Sequence, residues 1–222
     1  MPGFTFEVAL WIQLAAAGLG GLQGALCAAG EKRGHVDLLG VVTIGITAAL
    51  GGSLLRDIVL NQPATVIWQN GYLLIAAAFA ILGMALRPLF SRADDAFTVL
   101  DAIVMGLFGA IATSKALSLG VGPAGSLVVG VIGAIGGGVL RDVILRRPIS
   151  FLYVGTLYAT AAGAGAAALI ILNALGVPIP IAGLVCLAVT VAVRVGAVYL
   201  GWMLPEQRVL IVRRASPSVS SE

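Results

Sequence analysis

Gly136-Gly137-Gly138-Val139-Leu140-Arg141-Asp142 sets three adjacent glycines and two full charges inside a stretch otherwise apolar enough to cross a membrane. A glycine in a helix interior gives up about 1 kcal/mol relative to alanine, and a charge near the bilayer centre costs at least ~2.5 kcal/mol. A segment that carries both has a use for them. The element occurs twice: Gly51-Gly52-Ser53-Leu54-Leu55-Arg56-Asp57 precedes it by 85 residues, and each copy runs on to a proline, Pro63 and Pro148.

The rest of the chain identifies its solvent as lipid. Of 222 residues, 59% are hydrophobic and 10% charged, and the mean hydropathy is +1.06. Too few charges remain to cover a soluble globule, so the class is an all-α integral membrane protein. A net charge of +3 from 13 basic and 10 acidic side chains is too slight to argue for nucleic acid. Cys27 and Cys186 lie in apolar runs and read as small packing residues, not as a disulfide framework. With one histidine, His35, and no H-E-x-x-H, G-x-S-x-G or phosphate loop, an enzyme is not expected, and neither a metal nor a cofactor is.

At about 20 apolar residues per crossing, seven spans emerge: roughly Val8 to Ala29, Val36 to Leu60, Gly71 to Phe90, Phe97 to Leu117, Ala124 to Leu145, Phe151 to Asn173 and Ile179 to Met203. The first, which has no basic segment before it, reads as a transmembrane helix and not as a cleaved signal. Polar and breaker clusters fill the gaps, among them Gly30 to His35, Asn61-Gln62-Pro63, Ser91 to Asp95 and Gly120-Val121-Gly122-Pro123. Residues 1–205 form one transmembrane domain: repeat A over about 8–90, repeat B over about 97–173 and an extra helix over about 179–203, followed by a cytoplasmic tail at 206–222 expected to be disordered.

The repeat is aligned by Gly51/Gly136, Arg56/Arg141, Asp57/Asp142, Pro63/Pro148 and Trp68/Tyr153, and at an offset of 88 by Gln13/Asp101 and Cys27/Lys115. Each unit holds three crossings, so the second enters the membrane from the opposite side. The fold is an inverted 3+3 repeat with a seventh helix. Lys32, Arg33, Arg87, Arg92, Arg146, Arg147, Arg208, Arg213 and Arg214 all fall on the side of the C-terminus. The positive-inside rule then puts the N-terminus outside and the C-terminus in the cytoplasm.

Inverted repeats place ion or substrate sites at their interface, on helices broken there. Breaks at Gly51, Gly52 and Ser53 and at Gly136, Gly137 and Gly138 expose carbonyl oxygens suited to a weakly hydrated cation. Close helix packing is the plain alternative use of the same glycines. The charged pairs Arg56-Asp57 and Arg141-Asp142 also fit two arrangements. Side chains at adjacent helical positions diverge by about 100°, which favours cross-pairing of Arg56 with Asp142 and Arg141 with Asp57; alternatively each pair anchors a helix end at the membrane surface. They are candidates for gating. Asp101 suits either an ion site or the N-terminal dipole of its helix, and Lys115 either a path or a snorkelling cation. Arg194 lies well inside the seventh span and is a functional candidate.

The doubled Gly-Gly-x-x-x-Arg-Asp element, in seven spans over residues 8 to 203, resembles the trimeric intracellular cation channels in their prokaryotic form, also labelled glycine-transporter-like small membrane proteins. The resemblance implies a homotrimer in a cell (inner) membrane, in contact with membrane lipids, with a pore in each subunit lined by kinked spans 2 and 5. It implies a conductance for monovalent cations, chiefly potassium with sodium admitted. Lys115 matches a lysine that in the animal members belongs to a Lys-Glu-Val signature near a bound phosphoinositide; this chain reads Lys115-Ala116-Leu117. The missing glutamate argues against lipid regulation of the animal kind. The alternative within the same architecture is a secondary transporter of a small amino acid such as glycine, whose carboxylate a helix N-terminus can hold.

Overall fold

The structure, a computed structural model, describes residues 8–31, 36–90, 94–149 and 157–203. Eight helices occupy the described residues: α1 (Leu10–Ala29), α2 (Leu38–Val59), α3 (Thr65–Trp68), α4 (Asn70–Phe90), α5 (Asp94–Ser118), α6 (Pro123–Ile144), α7 (Tyr158–Ala174) and α8 (Ile179–Tyr199). Six are long and apolar enough to cross a membrane, and α7 is a shorter apolar helix of 17 residues. The expected start of that span at Phe151 lies outside the described residues, as do Lys32, Arg33, His35, Arg92, Tyr153, Arg208, Arg213, Arg214 and the tail at 206–222. The single turn α3 falls where the sequence shows only a gap. Its Trp68 is 80% exposed, the position of an aromatic side chain at a membrane–water boundary.

The helices pack as two equivalent triplets. In the first, α1 lies on α2 and α4; in the second, α5 lies on α6 and α7; α2 crosses α6 between them, and α8 closes the outside of the second triplet against α5 and α7. Local signals explain the helix starts. Asp37 caps α2, its carboxylate accepting from the Gly40 amide at 2.6 Å, and Pro123 opens α6 at a position whose amide needs no partner.

The two halves also end alike. Beyond α2, Asn61 takes φ 51°, and beyond α6, Arg146 takes φ 51°. The next amides reach back: Gln62 N–H donates to the Asp57 carbonyl at 2.8 Å, and Arg147 N–H to the Asp142 carbonyl at 2.9 Å. Each is a Schellman closure, and at Arg146 a side chain occupies the left-handed region that costs most residues about 1–2 kcal/mol. Both helices therefore stop just after their Arg-Asp pair.

The glycine runs differ from the expectation of broken helices. α2 and α6 run as unbroken α-helices through Gly51, Gly52 and Ser53 and through Gly136, Gly137 and Gly138. The space is used by the neighbouring helix. A Cβ on Gly52 would collide with the carbonyl oxygen of Gly133, and one on Gly137 with that of Ala48, two contacts related by the same 85-residue shift. Gly51 faces Leu140 as Gly136 faces Leu55. The triplets thus touch backbone to backbone on an approximate twofold axis. Glycines let the helices approach without giving up their own hydrogen bonds, which in lipid would be the larger loss.

Candidate functional site

Immediately beside this crossing is a cavity of ≈ 10 Å³, about the space of one water, lined by Gln23 of α1, Gly52 of α2, Asp101 of α5, Gly137 and Gly138 of α6, and Tyr158 of α7, with apolar side chains completing the wall. Three polar side chains and bare glycine backbone meet there. Asp101 is 7% exposed. Its Oδ1 accepts from Gln23 Nε2 at 2.6 Å and lies 3.4 Å from the Tyr158 hydroxyl, while Oδ2 stands 3.9 Å from Arg194 Nε. The Arg194 guanidinium lies over the Tyr158 ring, 4.8 Å from its centre, so a cation–π contact and a loose ion pair hold the same arginine. Gly138 borders the Tyr158 hydroxyl and the Arg141 side chain; any atom added there enters the cavity side.

The Arg-Asp pairs flank the crossing at the two ends of the bundle, in the last turns of α2 and α6. Arg56 Nε donates to Asp57 Oδ1 at 2.7 Å, and Lys115 of α5 reaches the same oxygen at 2.8 Å. At the other end Arg141 Nε donates to Asp142 Oδ1 at 2.9 Å, with Nη2 at 2.8 Å. The cross-pairing expectation is thereby corrected: each arginine folds back on the aspartate of its own motif. A side chain with three methylenes and a planar fork spans the 100° that separates adjacent helical positions. All four side chains are buried within the bundle, in the last turns of their helices. Positive charge at a helix C-terminus is favoured by the dipole, and the pairing offsets part of the cost of burying the charges, with Asp57 Oδ2 and Arg141 Nη1 left without a hydrogen bond.

Lys115 and Cys27, aligned at an offset of 88, occupy corresponding places at opposite ends. Lys115 enters the Asp57 cluster directly. At the Cys27 end an arginine from the loop packs in: Arg147 Nη1 donates to Cys27 Sγ at 2.7 Å and Nε to Glu31 at 2.6 Å. Gln13 and Asp101 correspond in the same way. The Tyr72 hydroxyl donates to Gln13 Oε1 at 2.9 Å, as that of Tyr158 points to Asp101.

The structure therefore brings Asp101, Arg194 and the glycines to one cavity and Lys115 to the Arg56-Asp57 cluster. Ser53 is buried near the crossing. Gln23, Tyr158 and Tyr72 were not singled out in the sequence, and Arg147 entered there only as one of the basic residues that set the orientation. Gln23 had a signal, being an uncharged polar residue inside an apolar helix; Tyr72 and Tyr158 had one in their 86-residue spacing.

Comparison with known proteins places the same architecture elsewhere. The family described as Glycine transporter matches residues 10–88 and 98–174, one segment for each triplet. A membrane protein of Deinococcus radiodurans is 32% identical over 160 residues, 71% of this chain and 73% of that protein. The inner membrane protein YadS of Escherichia coli K12 is 30% identical over 203 residues, 88% and 94% of the two chains. Among solved structures, one described under conductance through TRIC cation channels superposes with a TM-score of 0.80 at 28% identity, covering 90% of this chain and 98% of its own. The trimeric intracellular cation channel orthologue of Rhodobacter sphaeroides gives 0.79 at 28% identity, covering 87% and 98%.

Proposed function

From the premise that the chain belongs to the Glycine transporter family and shares the fold of the prokaryotic TRIC cation channels, we propose that it conducts monovalent cations, chiefly potassium, through a path inside each subunit. The observation that carries this reading is the polar cavity at the α2–α6 crossing. A lipid-facing bundle has no structural need for a carboxylate, an amide and a phenol converging on bare backbone; a hydrated ion does. The path runs between α2 and α6 and is shut at both ends in the conformation described. Arg56, Asp57 and Lys115 close one end, and Arg141 with Asp142 the other.

The size of the cavity in this conformation favours an ion over an amino acid as its occupant. Space for about one water accommodates a partly dehydrated ion, whereas glycine brings five heavy atoms and two charges. A carrier reading requires a second conformation with a larger chamber.

By the trimeric state in the description of its structural relative, the working form is a homotrimer in a cell membrane, with lipid around it. The basic residues put the N-terminus outside and the C-terminus in the cytoplasm. No cofactor is required, since potassium or sodium is the permeant species.

The test is single-channel recording of the purified protein in a planar bilayer under a potassium chloride gradient. Unitary steps reversing near the potassium potential are expected. Silence, together with saturable uptake of labelled glycine into liposomes, overturns the channel reading.

A further inference from the structure

The inverted repeat supplies an internal control for its own most costly residue. Gln13 on α1 and Asp101 on α5 occupy equivalent places, each met by the tyrosine hydroxyl of the corresponding helix, Tyr72 on α4 and Tyr158 on α7. At one of these places a neutral amide does the packing and hydrogen bonding. At the other stands a carboxylate, 7% exposed, whose burial carries a desolvation penalty that an amide avoids. Helix packing alone does not account for the difference.

The partners of Asp101 do not neutralise it tightly. Its hydrogen-bond partners Gln23 and Tyr158 are neutral, and its two cations act without a hydrogen bond: Arg194 Nε stands 3.9 Å away, and Arg141, whose guanidinium binds Asp142, attracts it through space. Asp101, Tyr158 and Gln23 line the cavity, and the carboxylate and phenol oxygens among them suit a hard monovalent cation. Resting on the channel reading above, we propose that Asp101 is the charge-selecting residue of the path. A partly dehydrated cation at the crossing is held by its carboxylate, and Gln13 at the equivalent place makes the path electrically one-sided.

The decisive comparison is between the wild type, Asp101→Asn and Asp101→Glu in planar bilayers, with reversal potentials in a potassium chloride gradient and unitary currents at both polarities. Asp101→Asn copies the chemistry of the Gln13 site. It is expected to lose most of the preference for potassium over chloride and to even out the currents at the two polarities, while Asp101→Glu keeps both properties. An Asn variant with wild-type reversal potential and wild-type current asymmetry overturns the assignment. If the Asn variant fails to assemble, barium added to both faces of the wild type serves instead. Block stronger at one polarity is expected, and equal block at both polarities, or none, refutes a single off-centre carboxylate. A silent wild type overturns the channel reading and takes this assignment with it; a conducting wild type confines any failure to Asp101.

Discussion

Replacing Gly137 with alanine places one methyl group against the Ala48 peptide, with the carbonyl carbon only 3.1 Å away and the oxygen in collision. Neither helix has a side chain to swing aside at that point, because the obstacle is backbone. Relief requires α2 and α6 to part by roughly 1 Å, and a gap of that size forfeits up to about half of each van der Waals contact along the crossing. Overpacking of this kind costs about 1–3 kcal/mol, offset by about 1 kcal/mol from the better helix propensity of alanine. A net loss of about 1–2 kcal/mol follows for the upper part of that range. At this chain length it corresponds to a melting midpoint lower by roughly 2–8 °C. Gly52→Ala meets the Gly133 carbonyl in the same way and should cost a similar amount. One separation of the helices relieves both clashes, so the double variant should lose distinctly less than the sum of the singles. Gly196 in α8 has no neighbouring atom within 4 Å of an added Cβ, so Gly196→Ala should be neutral or stabilising. Thermal unfolding in detergent, followed by size-exclusion chromatography, measures all four variants. If Gly137→Ala melts at or above the wild type, or if the two crossing variants simply add, the close backbone contact is not the constraint described.

Two further outcomes follow. Asp57→Asn leaves the buried Arg56 without its carboxylate and should destabilise by about 3–5 kcal/mol; Lys115→Met leaves the Arg56–Asp57 pair in place and removes an ammonium group whose side chain is 26% exposed, so about 1 kcal/mol or less is expected, and equal losses in denaturant titrations would contradict the geometry. Single cysteines at the exposed positions Gly122 and Arg146, in a Cys27→Ser background, should react differently in intact cells: a membrane-impermeant maleimide labels Gly122→Cys and spares Arg146→Cys, and the reverse pattern overturns the orientation.

The spans were legible in the sequence because lipid leaves so little choice: apolar runs of fixed length between Gly, Pro and charge clusters set α1, α2, α4, α5, α6 and α8 to within a few residues. The repeat was legible because its landmarks are the residues that membranes tolerate least. What escaped were consequences of three-dimensional closeness. Glycine runs advertise that backbone approaches something or bends, and only the location of the Ala48 and Gly133 carbonyls decides for approach. Adjacent Arg and Asp point apart at their Cβ atoms, and the length of arginine overrules that divergence. Gln23 and Tyr158 join Asp101 from helices 78 and 57 residues away in the chain, a convergence no local pattern encodes.

The glycine crossing has a mechanical consequence. Two helices whose closest contacts are backbone on backbone, with only Leu55 and Leu140 set against the facing glycines, have few side-chain ridges to climb at the crossing, so a roll of one triplet over the other would pivot there. From Gly52 to Asp57, and from Gly137 to Asp142, the lever arm is five residues, about 7.5 Å along a helix. A roll of about 10° then sweeps each arm tip through roughly 1.3 Å, enough to part the ion pair that Asp57 makes with Lys115 at 2.8 Å. Because the arms extend in opposite directions from a shared pivot, one small rotation reaches both sides of the membrane at once.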